Sequence, residues 1–156
     1  MTATELLKND HKKAMSLIGE LETADDEVGM DPTYTETFNR LNELLKMHTR
    51  IEEDVFYPAM KEFDESRDLV REFDKEHKQL EQLLSQLSTM APNVEEFQDT
   101  LSDLRENLER HVDEEENELF PIAEKLCDES RLLELGRQMQ EMKSDSRVEA
   151  ATVRRR

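Results

Sequence analysis

The sequence predicts an all-α protein: an antiparallel up-down-up-down four-helix bundle, followed by a short fifth helix. Three observations predict this fold. The chain has 156 residues but only three Gly and four Pro, the residues that most often interrupt helices. Leu, Met, Lys and Glu, which favour helices, are frequent. Four long segments repeat apolar residues at steps of three and four, with short connections between them. The length suits one domain, predicted here over residues 1–143, with a flexible tail over 144–156.

The first half contains two predicted helices. The first runs from Thr4 to Glu22 and ends in a polar stretch, TADDEVGMDP, that we predict to be a loop. Asp31 can cap the second helix and Pro32 fits its first turn, whereas Pro58 should kink this helix or end its regular hydrogen bonding. The predicted core-facing stripes are Leu7, His11, Ala14, Ile18 and Leu21 in the first helix, and Phe38, Leu41, Leu45, His48, Glu52, Val55 and Ala59 in the second.

The second half contains three predicted helices. The third helix of the chain runs from Ser66 to Ser88, and the fourth follows Pro92, with Asn93 and Glu96 as a variant capping box. The fifth is short, from Glu129 to Met142. Their stripes are Val70, Phe73, His77, Leu80, Leu84 and Leu87 in the third, Phe97, Leu101, Leu104, Leu108, His111, Glu115, Leu119, Ile122 and Leu126 in the fourth, and Leu132, Leu133, Leu135 and Met139 in the fifth.

The two halves repeat one another. Residues 48–58 read HTRIEEDVFYP and residues 111–121 read HVDEEENELFP, so that a histidine, two glutamates, an aromatic residue and a proline recur 63 positions apart. NDHKKAMSLIGEL (9–21) likewise matches KEHKQLEQLLSQL (75–87), with their histidines 66 positions apart. Each half therefore reads as a helical hairpin with one histidine on its first helix and His-x-x-x-Glu on its second. A rough twofold axis could relate the two hairpins.

Composition excludes several classes of function. Twenty-one basic residues against 39 acidic ones give a net charge of −18, which would repel the phosphates of nucleic acid. The chain shows no signal region and no apolar run of membrane-spanning length, so we expect a cytoplasmic protein that does not bind membranes. The single cysteine, Cys127, excludes an intrachain disulfide and is expected to be buried or partly buried. We expect a monomer or a weak homodimer.

Six residues on the stripes predict a metal site. A lone histidine on an apolar face more often packs in the core than binds a metal, but here every histidine of the chain lies on a stripe. Two glutamates also interrupt the stripes, and a buried carboxylate costs several kcal/mol unless it is paired or bound to metal. Residues four apart on a helix share one face, so two His-x-x-x-Glu pairs can grip metal from two helices. The candidate ligands are His11, His48, Glu52, His77, His111 and Glu115.

Six ligands are too many for one tetrahedral zinc and fit two cations, each holding two imidazoles and sharing both carboxylates. Mixed nitrogen and oxygen ligands allow iron, manganese or zinc. Glu53 and Glu116 are expected to face solvent or to support the ligands from outside, with direct metal contact as the less favoured alternative. Tyr57 and Phe120 are expected to pack helix against helix, and Tyr57 could instead donate a hydrogen bond near the site.

At residues 4–127 the chain resembles the hemerythrin-like family, also called HHE cation-binding domains. The resemblance is carried by His11, HTRIE at 48–52, the EH pair that ends at His77, HVDEE at 111–115, and the FYP and LFP endings. It implies an antiparallel four-helix bundle with a non-haem di-iron centre, in which two Fe ions are bridged by oxide or hydroxide. Its ligands would be the four histidines, with Glu52 and Glu115 as bridges.

One departure from the family pattern bears on function. Oxygen-carrying hemerythrins have a fifth histidine on the third helix, where this chain has Phe73, and they place the second bridging carboxylate after a longer spacing. This difference argues against reversible oxygen carriage. With two imidazoles and two shared carboxylates, both metals would be left able to accept an oxygen atom from outside.

The leading hypothesis is a cytoplasmic di-iron protein of oxidative-stress defence that reacts with small oxidants, above all by disproportionating hydrogen peroxide as catalases do. Phe73, Leu45, Leu80 and Leu108 would shape its pocket, and Glu53 or Glu116 would move protons. One alternative is a module that senses or stores O2, NO or iron without turnover. Another is a bundle whose metal only stabilises the fold.

Overall fold

A computed structural model of the chain describes residues 1–23, 32–91 and 95–154. Four α-helical rods form the predicted antiparallel bundle, and a further helix packs against it. The described residues contain no strand, and none of their helices is long and apolar enough to cross a membrane. The elements are α1 (Ala3–Glu22), α2 (Pro32–Ile51), a π-helical turn (Glu52–Phe56), α3 (Tyr57–Met60), α4 (Asp64–Ser88), α5 (Glu95–Glu114), a second π-helical turn (Glu115–Leu119), α6 (Phe120–Leu126) and α7 (Glu129–Arg154). The four rods are α1, α2 continued through the first π-helical turn into α3, α4, and α5 continued through the second into α6.

The start of α1 is capped more tightly than the sequence pattern indicated. The hydroxyl of Thr2 accepts a hydrogen bond from the backbone N–H of Glu5, and the Glu5 carboxylate accepts one from the backbone N–H of Thr2. This reciprocal capping box satisfies two amides that the first turn of a helix leaves unpaired. The other two predicted caps, at Asp31 and Asn93, lie outside the described residues.

Two π-helical turns widen the second and fourth rods at matching positions. The backbone N–H of Tyr57 bonds to the carbonyl of Glu52, and that of Phe120 to the carbonyl of Glu115, five residues back instead of four. One residue separates the end of each turn from a proline, Pro58 in the first case and Pro121 in the second. Because proline lacks an N–H and its ring crowds the carbonyl four residues earlier, an α-helix cannot pass through these positions unchanged.

The extra residue in each turn rotates the side chains that follow it. The stripe prediction is therefore wrong at Val55 within the first turn, and at Ile122 and Leu126 beyond the second, all of which are only partly buried. The residues that enter the core instead are Phe56, Tyr57, Met60, Phe120, Ala123 and Cys127, all 6 % exposed or less. Burial of Cys127 as a free thiol was expected from the sequence.

Two apolar clusters fill the bundle, one toward each end. One cluster includes Leu7, Ile51, Phe73 and Leu119, together with the buried residues of α7. The other is formed by buried residues of α1, α2, α4 and α5, such as Ala14, Leu45, Leu80 and Leu108. In each rod the predicted ligands lie at the boundary between the two clusters. His11, for example, follows Leu7 of the first cluster and precedes Ala14 of the second. The polar residues thus form a single layer across the middle of the bundle.

The fifth helix is not short. We predicted that it ends at Met142, but α7 is 26 residues long and runs to Arg154, because no proline or glycine follows Gly136 to stop it. It packs on α1, and Gly136 lies so close to the start of the chain that an added Cβ would stand 2.3 Å from the carbonyl oxygen of Met1. Leu132, Leu135 and Met139 are buried as predicted, whereas Leu133 is 44 % exposed. The flexibility of residues 144–156 stays a prediction.

Candidate metal centre

The six candidate ligands meet inside the bundle, in the polar layer between the two apolar clusters. The four histidines come from stripe positions on the four rods where the spacing of three and four continues unbroken, and Glu52 and Glu115 each open one of the π-helical turns. None of their side chains reaches the surface, since each residue is at most 3 % exposed. The six are His11, His48, Glu52, His77, His111 and Glu115.

Glu52 lies between one imidazole of each hairpin. Its Oε1 is 3.0 Å from Nε2 of His48, one helical turn earlier on the same rod, and 3.2 Å from Nε2 of His77 on α4. A single carboxylate oxygen therefore faces two rings that belong to different halves of the chain. This is the position that a shared, bridging carboxylate needs.

Glu115 holds the matching place on the opposite side of the layer. Its Oε1 is 3.2 Å from Nε2 of His11, and its Oε2 is 3.3 Å from Nε2 of His111. The two oxygens thus divide between histidines of the two hairpins. Together with Glu52, this carboxylate brings all four imidazoles into one cage, as the repeat in the sequence predicted.

Most of the inner atoms of this cage are not satisfied by the protein. Six buried polar atoms have no hydrogen-bond partner within the described part of the chain, although His11 and His48 lie only 3.2 and 3.0 Å from the facing carboxylate oxygens. Buried polar atoms in proteins are nearly always paired, so a group of orphans at one point indicates a missing ligand. The orphans are Nε2 of His11, His48 and His111, both carboxylate oxygens of Glu52, and Oε1 of Glu115.

The cage divides into two overlapping sets of potential ligands. His11, His48, Glu52 and Glu115 offer atoms that all lie within 4.8 Å of one another, and so do Glu52, His77 and His111. Two sets that share a carboxylate fit two cations better than one. Imidazole and carboxylate together suit iron, manganese or zinc. The residues present therefore fit the pair of cations that the sequence predicted.

Each histidine also has a carboxylate behind it, on the side away from the cage. Nδ1 of His77 lies 3.1 Å from Glu53, and Nδ1 of His11 lies 3.0 Å from Glu116, so each contact joins the two hairpins. These carboxylates can accept a hydrogen bond from Nδ1–H, and they hold each ring with Nε2 directed inward. Glu53 and Glu116 thus support the ligands from outside, which was the favoured expectation.

The other two histidines are supported by acidic residues that the sequence reasoning missed. Nδ1 of His48 lies 3.0 Å from Asp10, and Nδ1 of His111 bonds to Glu76. Here each contact stays within one hairpin. A signal was present, because an acidic residue directly precedes His11 in one half and the matching histidine in the other, as the dipeptides DH and EH.

The carboxylates make the cage strongly attractive to positive charge. Burial lowers the pKa of His48, but the charge of Glu52 and the bond to Asp10 outweigh it and raise the pKa to about 10. Burial likewise opposes ionisation of Glu115, yet the neighbouring His111 and His11 rings hold the pKa of this carboxyl well below its ordinary value. A pocket that favours charged imidazolium so strongly favours metal cations for the same electrostatic reason.

Tyr57 adds an O–H group to the inner side of the cage. Its hydroxyl donates to Oε2 of Glu115 at 2.6 Å and lies 3.2 Å from Nε2 of His77. Burial, and then the charges of Glu115 and Glu52, raise the pKa of this phenol well above its ordinary value, so it stays protonated. The prediction that Tyr57 serves packing is therefore incomplete, and the alternative of a hydrogen bond near the site describes the geometry.

Aromatic rings close the cage toward the end that carries α7. Phe73, which stands where oxygen carriers have a fifth histidine, is fully buried and meets His111 edge to face at 5.0 Å. Phe120 lies parallel to the ring of His11, with their centroids 6.0 Å apart. Leu45, Leu80 and Leu108, also predicted to shape the pocket, are 3 % exposed or less and belong to the cluster on the other side. Apolar side chains therefore border the cage on both sides.

Comparison with known proteins agrees with this geometry. The family described as hemerythrin HHE cation binding domain matches residues 2–123, and the chain belongs to that family. Its fold is similar to the crystal structure of a hemerythrin HHE cation binding domain-containing protein from Mycobacterium kansasii, with a TM-score of 0.79 and 27 % sequence identity. That match covers 92 % of this chain and 86 % of the other. The protein is thus a hemerythrin-like domain with a cluster of residues that could hold metal.

Two relatives of known sequence are longer than this chain. A DNA nickase from Nostoc sp. (strain PCC 7120) is 29 % identical over 120 residues, which are 77 % of this chain and 33 % of that protein. An uncharacterized hemerythrin-like protein from Schizosaccharomyces pombe is 27 % identical over 135 residues, covering 85 % of this chain and 64 % of the other. The chain therefore spans less than two thirds of each relative.

Proposed function

We propose that this domain holds two iron ions and disproportionates hydrogen peroxide, converting two H2O2 into two H2O and one O2. The observation that carries the proposal is Phe73. Because an apolar ring fills the place of a fifth histidine, the cage provides only two imidazoles for each cation. An iron pair held in this way would supply a Lewis acid and a store of two electrons, with room for an oxygen atom at each metal.

The residues of the cage would hold the metals mainly by atoms that the protein leaves unsatisfied. Nε2 of His77 is the exception among the imidazoles, since it lies 3.2 Å from the hydroxyl of Tyr57. The four imidazoles would bind through Nε2, and Glu52 and Glu115 would bridge. The carboxylates behind the histidines would keep each ring in its orientation and in the tautomer that presents a bare Nε2. Iron is the proposed metal because the family typically binds it, with manganese or zinc as alternatives that the ligand types also allow.

Proton movement would fall to Tyr57 and not to the acids that the sequence favoured. Glu53 and Glu116 contact the outer Nδ1 atoms of His77 and His11, so the imidazole rings separate them from the interior. The phenol of Tyr57 lies on the inner side and is held protonated. It can hold a proton beside the reacting oxygen atoms and pass it without exposing the cage to bulk water.

Binding without turnover is the second candidate function. It is favoured by the same arrangement of acids, because a cage with a single phenolic donor and ligands at most 3 % exposed is poorly supplied with protons. Such a cage could bind O2 or NO, or store iron, as a sensor or reservoir. The two candidates differ in whether peroxide is consumed repeatedly.

DNA cleavage is not part of the proposal, although one relative is a DNA nickase. The match covers only a third of that protein, so its activity could depend on parts that have no counterpart here. A net charge of −18 also opposes association with a phosphate backbone. We propose that the partners of this domain are small molecules.

An oxygen electrode tests the proposal. Protein loaded with iron, freed of excess metal and shown to carry two irons per chain is mixed with peroxide, and dissolved O2 is recorded over many turnovers. We expect one O2 for every two H2O2, whereas metal-free protein and the same concentration of free iron salt should give little. A protein that carries two irons and releases no O2 contradicts the proposal. A stable coloured adduct with O2 or NO would then support the binding module.

A further inference from the structure

A groove of about 860 Å3 lies on the outside of the bundle, between α1, α2 and α7. Its charge is opposite to that of the protein. Seven basic side chains line it against three acidic ones, whereas the whole chain has 21 basic and 39 acidic residues. A third of the basic residues of the chain thus gather around one cavity. They include Lys13, Arg40, Lys46, Lys143 and Arg147.

Most of these basic groups have no counter-charge within the described part of the chain. Lys143 pairs with Asp10 and Arg50 with Asp54, but no ion pair is formed there by Lys13, Arg40 or the other three. Elsewhere on the surface arginines are regularly paired, as at positions 67, 71, 105, 131 and 137. Unpaired positive charge gathered in a concave surface focuses a positive potential and favours an anion.

Part of the lining of the groove is apolar. Leu17, Leu44 and Met47, which are buried or partly buried, line it together with the charged side chains, and two hydroxyl groups, from Ser16 and Ser146, are also present. The volume falls within the range of small-molecule sites, about 300–1,000 Å3. From the charge, the apolar lining and the size together we infer that this groove is a binding site for a compact organic phosphate, charged at one end and apolar at the other.

The ligand must be compact because the positive surface is local. Outside the groove the chain is more acidic than its total of −18, since the groove itself carries an excess of positive charge. A nucleic acid or a phospholipid membrane would extend beyond the rim and meet that repulsion. A small phosphate lies entirely within the positive region.

One wall of the groove leads directly to the candidate metal centre. Nζ of Lys143 is 2.6 Å from Oδ1 of Asp10, and Oδ2 of the same carboxylate is 3.0 Å from Nδ1 of His48. A phosphate bound in the groove would compete with Asp10 for Lys143. This competition would change the hydrogen bond that Asp10 forms with Nδ1 of His48. Occupancy of the groove would therefore alter the metal environment, with Lys143 as the positioning residue. This site does not depend on peroxide chemistry, and its test uses no turnover.

Calorimetric titration tests the site on metal-loaded protein, with ATP, inorganic pyrophosphate and adenosine as probes. We expect saturable binding of ATP and pyrophosphate that weakens as salt is raised, and no binding of adenosine. The variant Lys13→Gln/Lys46→Gln should weaken ATP binding about tenfold, because two favourable charges are lost. The matched control Lys75→Gln/Lys78→Gln removes two exposed lysines of α4, outside the groove, and should bind as the parent does.

If the parent and both double variants give equal heats with ATP, ATP does not bind in the groove and the proposed site is refuted. Chelation of metal by ATP would give this result. Tighter binding of a duplex oligonucleotide or of anionic vesicles than of ATP overturns the compact ligand. The link to His48 has its own readout, the visible spectrum of the iron-loaded protein. Saturating ATP should shift the spectrum of the parent and not that of Lys143→Gln, and a parent spectrum that ATP leaves unchanged refutes the link.

Discussion

The phenol of Tyr57 donates a hydrogen bond of 2.6 Å to Glu115, a residue of the other hairpin. This hydrogen bond holds the carboxylate of Glu115, a candidate bridge, in place, and its donor is a phenol that stays protonated. It exists because the π-helical turn at Glu52–Phe56 rotates Tyr57 into the core. In the second hairpin the equivalent position holds Phe120, which has no hydroxyl, so the two halves of the cage differ at this point.

Replacing Tyr57 with Phe should therefore weaken the cage without changing its shape. We expect the unfolding free energy to fall by about 1–2 kcal/mol, because a buried carboxylate loses its donor. The visible spectrum of the iron-loaded protein should also shift. The other tyrosine of the chain supplies the control: Tyr34→Phe loses only a weak, exposed bond to a backbone carbonyl. Urea unfolding and absorption spectra measure both, and equal results for the two variants would show that the bond to Glu115 is unimportant.

Removing either candidate bridge should prevent the site from holding two metals. In Glu52→Ala or Glu115→Ala, a cation pair loses a shared oxygen ligand, and we expect fewer than two metals per chain by elemental analysis. Glu81→Ala, an exposed glutamate on α4, should keep both metals. If Glu52→Ala still binds two metals, Glu52 is not a bridge and the ligand assignment is wrong.

The carboxylates behind the histidines should matter almost as much as the ligands. Glu53→Gln and Glu116→Gln each remove the acceptor charge behind one imidazole, and we expect metal affinity to fall about 10–100-fold. Competition with a coloured chelator measures this loss. Glu118→Gln, exposed on the second π-helical turn, serves as control, and an effect as large at Glu118 would point to general charge instead of support for the rings.

Phe73 tests the link between imidazole number and reaction. Phe73→His should place a fifth ring beside His111 and occupy the position that peroxide needs, so we expect oxygen release to drop while two metals remain bound. Phe73→Leu alters the packing to a similar degree and adds no ligand, so it should keep most of the activity. The prediction fails if the His variant retains both metals and the parent rate.

Two glycines should respond in opposite directions to alanine. A Cβ at Gly136 would clash with the carbonyl oxygen of Met1 at 2.3 Å, whereas one at Gly19 would meet nothing closer than Arg105 at 3.9 Å. Gly136→Ala should therefore destabilise the protein by about 1–3 kcal/mol, through displacement of α7. Gly19→Ala should stabilise it by about 0.5–1 kcal/mol, the usual gain within a helix. Thermal unfolding measures both, and stabilisation by Gly136→Ala would mean that α7 does not pack as described.

The bundle and the six buried candidate ligands could be predicted because both follow from periodicity. His48 and Glu52 interrupt an apolar stripe at its own spacing, and that pattern needs no knowledge of neighbouring helices. The stripe prediction failed after the π-helical turns, since one extra residue per turn changes which side chains face inward. Asp10 was missed because its role depends on the angle at which α1 meets α2. Lys143 was missed because it reaches Asp10 from a helix that was expected to end one residue earlier.

The widened turns also set a condition for anyone who would graft this centre onto another scaffold. A straight, idealised helix that copies the histidine and glutamate spacing would reproduce the inward-facing imidazoles. In such a helix, however, the side chains of Tyr57 and Phe120 would no longer face the cage. The one-residue insertion ahead of Pro58 and Pro121 has to travel with the ligands. Without it, the transplanted cage would lack its phenol and one of its aromatic walls.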